Sequence, residues 1–244
     1  MRYMVLSDIH GNLDAFDAVL ADFDDFDKIW CLGDMVGYGP QPNECIERLH
    51  EFPHICVAGN HDWAALDKLS DSDFNPDAKK ACRWTRERLL PENFEYLNNL
   101  PTTLVEEGFT LVHGSPRQPV WEYILHPSVA TANFAYFDTQ ICFVGHTHTA
   151  VIFRYEHMDS GGACLPLPFS QNNPLPLGEE RMIINPGSVG QPRDGDPRAS
   201  YVILDTDKGT FEYRRIPYPI EITQRKMMEE DLPLRLIVRL GYGW

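Results

Sequence analysis

Asp8 with His10, Asp34, Asn60 with His61, His113, and His146 with His148 share one placement: each set follows directly on a short apolar run. The runs are residues 3–6, 29–32, 55–58, 109–112 and 141–144. A buried strand that stops in polar side chains leaves them on the rim of a sheet. In open α/β sheets, ligands bind at the carboxyl ends of the strands. Asp8, His10, Asp34, Asn60, His113, His146 and His148 would bring two carboxylates, one amide oxygen and four imidazoles to that rim. These are more mixed nitrogen and oxygen donors than one tetrahedral zinc uses. They suit two divalent ions about 3.5–4 Å apart, bridged by a carboxylate and a water. Two such cations less two carboxylates leave about +2, or about +1 with a bridging hydroxide, a charge that attracts phosphate. Ligation rich in imidazole fits Mn²⁺, Fe²⁺, Co²⁺, Ni²⁺ or Zn²⁺ better than Mg²⁺.

Each residue alone also has an ordinary reading, because Asn and Asp make turns. The recurrence at five run ends is what argues for a ligand cluster. Asp8 and His10 are two apart, and in extended chain such residues point to the same side, so both can reach one ion. His50, His54, His126 and His157 follow no such pattern and read as surface or core residues. Arg193 is a candidate for a substrate phosphate, with a surface ion pair as the equal alternative. Trp121 and Tyr123 read as core packing in preference to a pocket wall.

The elements that position these residues follow from periodicity. Runs 3–6, 29–32 and 55–58 alternate with amphipathic segments at 12–22, capped by Asn12, and 43–49, preceded by Pro42. Strand, helix, strand, helix, strand predicts a parallel sheet with right-handed crossovers. Residues 63–100 read as helical, interrupted near 70–76 by a polar loop with a proline. Residues 102–105 and 109–112 form a hairpin around Glu106-Glu107-Gly108. A helix over 128–137 and strands over 141–144 and 151–155 follow. Residues 158–180, with Pro166, Pro168, Pro174 and Pro176, read as a long surface excursion. A strand at 182–184 leads into Asn185-Pro186-Gly187-Ser188, a hairpin spans 201–214, and a helix covers 222–230. There are no internal repeats, and residues 1–244 are expected to form a single domain. The apolar segment 234–240 would either pair with another subunit, giving a homo-oligomer, or dock on its own chain.

Composition narrows the function classes. A net charge of −15 argues against non-specific binding to nucleic acid or an anionic membrane. No apolar run approaches the ~18 residues of a membrane span. The run at 3–6 is too short for a signal-peptide core of roughly 7–15 residues, so the expected location is cytoplasmic. Six cysteines without a CxxC pair agree with that location.

Taken together, the blocks Asp8-x-His10, Gly33-Asp34, Gly59-Asn60-His61-Asp62, His113 and Gly145-His146-Thr147-His148 resemble the calcineurin-like metallophosphoesterases, whose motifs run in this order. Gly33-Asp34-Met35-Val36-Gly37-Tyr38-Gly39-Pro40 and Asn185-Pro186-Gly187-Ser188 are similar to the small bacterial and archaeal phosphodiesterase-like branch. The resemblance implies a four-layer α/β/β/α sandwich of two mixed sheets. It implies one metal on Asp8, His10, Asp34 and His148, and a second on Asp34, Asn60, His113 and His146, with Asp34 bridging. Mn²⁺ is favoured on family grounds. A hydroxide held by the metals would attack phosphorus in line, and His61, with Asp62 orienting it, would protonate the leaving oxygen. Asn60 and Arg193 are the candidates for touching the substrate. Ala150 departs from the proline of many relatives, a difference expected to be structural only. The expected substrate is a small phosphodiester or nucleotide; a phosphomonoester, a dinucleoside polyphosphate or a phosphoprotein would use the same metal core. A non-catalytic scaffold with this fold would lack the acid histidine or several ligands, and this chain keeps them all.

Overall fold

The structure, a computed structural model, describes residues 1–70, 74–158 and 161–244. The first half contains β1 (Arg2–Leu6), α1 (Leu13–Asp22), β2 (Lys28–Cys31), α2 (Pro42–His50), β3 (His54–Cys56), α3 (Asn60–Ala65), α4 (Pro76–Arg88), α5 (Pro91–Asn98), β4 (Thr103–Glu106) and β5 (Phe109–Val112). The second half contains α6 (Pro127–Asn133), β6 (Ile141–Phe143), β7 (Ala150–Met158), β8 (Gly161–Pro166), β9 (Leu175–Pro176), β10 (Met182–Pro186), β11 (Ala199–Asp205), β12 (Thr210–Ile216), α7 (Ile220–Glu229) and α8 (Leu234–Arg239). They form two six-stranded sheets, ordered β3-β2-β1-β11-β12-β9 and β4-β5-β6-β10-β7-β8. β1, β2 and β3 run parallel, as do β5, β6 and β10, and the remaining pairs are antiparallel.

Alternation along β1 shows how one strand serves two layers. Tyr3 and Val5 point between the sheets, where they meet Trp30, Phe143 and Ile184. Met4 and Leu6 point the other way, onto Phe16 and Val19 of α1 and Ile46 and Leu49 of α2. Strands buried on both faces read as continuous apolar runs, which is why the parallel strands were legible. Trp30 stacks on Tyr3 at 4.2 Å between ring centroids; truncating a buried aromatic of this kind costs ~3–5 kcal/mol. On the far side, Val112, Cys142, Phe153 and Ile183 pack against Ala130 and Phe134 of α6 and its C-cap. Helix, sheet, sheet and helix give the expected four layers. None of the six cysteines forms a disulfide, and all six are buried.

Two expectations are revised. α3 begins at Asn60, three residues earlier than the helical pattern suggested, so Asn60, His61 and Asp62 occupy its first turn. The expected excursion at 158–180 instead holds β8, antiparallel to β7, and β9, which extends the first sheet beside β12. Its prolines obscured this, yet Pro166 and Pro176 end their strands at sheet edges, where a missing N–H is tolerated. Residues 71–73 of the expected polar loop and 159–160 of the excursion lie outside the described residues. Residues 234–240 dock on their own chain: Leu236, Ile237 and Leu240 bury against Ala78, Ala81 and Met227. Among the described residues, no helix is long and apolar enough to cross a membrane.

Candidate metal centre

The loops after the parallel strands are built from unusual backbone. Asp8 (φ 56°), His10 (φ 52°), Asp34 (φ 52°), His146 (φ 65°) and His148 (φ 58°) all lie in the left-handed region. Residues with a Cβ are uncommon there, at a cost of roughly 1–2 kcal/mol each. Such outliers cluster where the surrounding structure holds them for function. The loops interlock through the backbone: Asp8 N–H donates to Gly33 O (3.1 Å), His10 N–H to Asp34 O (2.9 Å) and Gly145 N–H to His113 O (2.7 Å). Asp8 and His10 therefore converge through two left-handed turns, and the extended-chain geometry expected for them is corrected. A Cβ on Gly59 would stand 2.1 Å from Asp34 Oδ1, and one on Gly145 1.9 Å from Ser7 Oγ. Only glycine lets these strand ends approach so closely.

All seven predicted ligands meet, buried at 0–2 % exposure. Asp8, His10, Asp34 and His148 offer ligand atoms within 4.8 Å of one another, as do Asp34, His113 and His146. Asp34 belongs to both groups, with Oδ2 3.6 Å from His10 Nε2 and 3.3 Å from His113 Nε2. Asp8 Oδ1 lies 3.2 Å from His148 Nε2, and Asn60 Oδ1 3.1 Å from His113 Nε2.

Proton placement tests whether a cation fits. The outer nitrogens of His10, His113, His146 and His148 face the carbonyls of Val36 (3.0 Å), Leu32 (2.8 Å), Trp121 (3.1 Å) and Gln191 (2.6 Å). A carbonyl only accepts, so each outer nitrogen carries the proton and each inner one presents a lone pair. His10 Nε2 and His148 Nε2 then face each other at 3.1 Å, as do His113 Nε2 and His146 Nδ1. Opposed lone pairs are satisfied by a cation between them. Asp8 Oδ1 and Asp34 Oδ2 are also buried without a hydrogen-bond partner. The donor set fits metal ions.

Electrostatics say the same. Burial works to raise both carboxyls, yet His148 beside Asp8 and His113 beside Asp34 hold them well below the usual carboxylate range. Burial pushes down His10, His148 and His146, the last to about 3. His113 alone goes up, to about 10, because Asp34 outweighs its burial. Two buried negative charges thus favour positive charge beside Asp34.

His61 lies beside this cluster without a ligand's placement. Its ring is 4.8 Å from that of His10, edge-on, and is flanked by Tyr38 (4.3 Å) and Phe74 (4.9 Å). Nδ1 is 3.3 Å from Cys82 Sγ, which leaves Nε2 as the nitrogen available to a ligand. Burial pushes the imidazole down to about 4 against the pull of Asp34. Asp62 does not orient the ring as expected. Its carboxylate accepts from the amides of Asp34 (2.9 Å), Gly59 (2.9 Å) and Val36 (3.2 Å), clamping the second loop to the third.

A cavity of about 280 Å³ opens beside His61, lined by Asn60, Trp121, Tyr123 and Arg193 among others. Tyr123 is pocket wall and not core, 45 % exposed and stacked on His146 at 3.9 Å, whereas Trp121, half-buried, lines the pocket and also packs against the core as expected. Arg193 makes no ion pair among the described residues; Nη2 donates to Gln191 Oε1 (2.9 Å) and Tyr38 Oη (3.3 Å). His50 and His126 are exposed and His54 is half-buried, hydrogen-bonded to Tyr96. Sequence reasoning gave no role to the side chains of Asn185 and Ser188. Asn185 Nδ2 donates to Gly145 O (2.7 Å) and Thr147 Oγ1 (2.9 Å), and Ser188 Oγ to Asp8 O (2.8 Å). The signal was available, since polar residues again follow an apolar run. Arg235 and Arg239, which also line the cavity, carried no signal because they sit in a terminal segment far from any motif.

Two mixed sheets joined face to face, with buried imidazoles and carboxylates on a shared rim, define a metallophosphoesterase. The chain belongs to the calcineurin-like phosphoesterase superfamily, whose domain profile matches residues 1–209. It is 46 % identical to a metallophosphoesterase from Sphaerobacter thermophilus of known structure, covering 100 % of this chain and 99 % of that one, with a TM-score of 0.90. It is 38 % identical over 247 residues to protein MJ0912 of Methanocaldococcus jannaschii, covering 98 % of this chain and 97 % of that protein. Phosphodiesterase YfcE of Escherichia coli K12 is 28 % identical over 222 residues, 85 % of this chain and 89 % of its own length. The chain is accordingly a phosphoric ester hydrolase.

Proposed function

We propose that the protein hydrolyses a phosphodiester with two divalent ions held side by side, Mn²⁺ being the favoured ion. The observation that carries this is Asp34 Oδ2: buried, without a hydrogen-bond partner, and within 3.6 Å of an imidazole nitrogen from each group. Asp8, His10, Asp34 and His148 would hold one ion, and Asp34, Asn60, His113 and His146 the other. Such ions supply Lewis-acid charge to phosphoryl oxygens and lower the pKa of water toward neutrality. The backbone carbonyls behind the four imidazoles fix ring orientation and tautomer, so the lone pairs are aimed before any ion arrives.

His61 would work on the leaving group. With Nδ1 turned to Cys82, Nε2 gives its proton to the departing oxygen as the P–O bond breaks. Burial keeps the ring neutral in the free protein, and the negative charge of a phosphate entering the cavity raises its proton affinity. Asn60 and Arg193 offer an amide and a guanidinium to the non-bridging oxygens. Asp62 acts indirectly, by holding the loop that carries Asp34. The name of YfcE supports the diester preference. The net charge of −15 favours small substrates over nucleic-acid polyanions, in a cytoplasmic protein. A Mn²⁺-supplemented panel of bis(p-nitrophenyl) phosphate, p-nitrophenyl phosphate and a dinucleoside polyphosphate tests this. Higher kcat/KM on the diester than on the monoester is expected; turnover of the monoester alone would contradict it.

A further inference from the structure

The cavity beside His61 carries more positive charge than a phosphodiester needs. Arg193, Arg235 and Arg239 all line it, and none of them forms an ion pair with an aspartate or a glutamate among the described residues. That is unusual in a chain with 36 acidic and 21 basic residues. Several arginines elsewhere are paired, Arg48 with Asp17, Arg198 with Asp196, Arg214 with Glu212 and Arg215 with Asp194, while Arg181 is held by backbone carbonyls and Arg225 is exposed. Arg193 Nε is buried and has no hydrogen-bond partner. Arg239 is half-buried, and its Nε donates to the backbone oxygen of Trp244. Burial, then Arg193 and Arg235, push Arg239 down to about 10, so the three cations feel one another. Grouped cations left unpaired in a concave site are stabilised by an anion.

The origin of two of them is specific. α8 and its C-cap bury Leu236, Ile237 and Leu240 against α4 and α7, while Arg235 and Arg239, one helical turn apart, reach the cavity. α7 and α8 lie beyond residue 209, where the superfamily match ends. α8 thus supplies charge at the mouth of the cavity.

We propose that Arg235 and Arg239, with Arg193, form a second anion subsite that holds another phosphoryl group next to the scissile one. The preferred substrates are then organic phosphoesters carrying a second phosphoryl group, such as nucleoside or dinucleoside polyphosphates. This rests on the neighbouring cluster being the site where a phosphoester is cleaved.

The test is calorimetric titration of Mn²⁺-loaded protein with AMP and with α,β-methylene-ADP, which differ by one phosphoryl group and are not cleaved between phosphorus atoms. In the unsubstituted protein the second group should tighten binding by about 10–100-fold, the range of one or two charge-assisted contacts. In Arg235→Met/Arg239→Met, which keeps the apolar stems, most of that gain should vanish, with each protein's AMP affinity as its own reference. Arg235→Gln, at an exposed position, is a second variant that leaves helix packing untouched and should lose part of the gain. Arg239→Lys should retain part of it. An equal gain in unsubstituted and variant proteins, or no gain at all, overturns the subsite. Hydrolysis of bis(p-nitrophenyl) phosphate, measured on the same preparations, separates the two claims. Turnover without an arginine-dependent gain removes the subsite alone. An arginine-dependent gain without turnover supports the subsite and removes the phosphodiester reading.

Discussion

Asp34 is tied at two points and open at a third. Its amide donates to Asp62, its Oδ1 accepts from the His61 amide at 2.8 Å, and its Oδ2 is left for the cluster. One residue thus couples the metal-facing oxygen to the backbone that carries the proposed acid. At this scale the sequence was most informative, because ligand chemistry needs particular side chains and the apolar runs marked where they fall. Their partners were less legible: Asp62 looked like an orienting group for His61, yet its lone pairs are taken by three amides. If His61 protonates the leaving oxygen, His61→Ala should slow esters with poor leaving groups by ~10²–10⁴-fold. Nitrophenyl esters, whose leaving group is stable as an anion, should lose far less, and metal content should be retained. The check is kcat/KM across esters of rising leaving-group pKa; a uniform penalty would reassign His61 to phosphate binding.

The elements that matter most are the loops, and they were the least legible part of the fold. Strands and helices announce themselves by period, whereas the left-handed turns at Asp8, Asp34 and His146 carry no glycine at the turning residue. β8 and β9 were hidden by prolines that sit at their ends, and α8 by a short pattern compatible with either strand or helix. Asn185, at the end of β10, shows how a loop is held without touching a ligand. It is fully buried and binds Gly145 O and Thr147 Oγ1, while its Oδ1 accepts from Gly187 N–H at 2.9 Å. Asn185→Ala would leave these buried groups without partners, and metal-free protein should lose ~2–4 kcal/mol in urea unfolding. Mn²⁺ affinity should fall as well, since His146 and His148 flank Thr147. A change under about 0.5 kcal/mol with unaltered Mn²⁺ affinity would show the loop to be self-supporting.

Across the whole molecule, two sheets bring three strand ends from one side and two from the other to a common rim. Neither sheet holds a full set of donors: Asp8, His10, Asp34 and Asn60 follow strands of the first, and His113, His146 and His148 follow strands of the second. Packing of the sheets through Tyr3, Trp30, Phe143 and Ile184 is therefore what creates the site. The charge pattern repeats that logic at larger range, a strongly acidic surface around a centre that calls for cations and a mouth that carries arginines. The most direct test is stepwise addition of Mn²⁺ to chelator-stripped protein, following bound metal per chain and hydrolysis of bis(p-nitrophenyl) phosphate together. The two-ion reading predicts little activity at one ion per chain or below and a plateau at two. Full activity at one ion or none, or no hydrolysis with two bound, would contradict it.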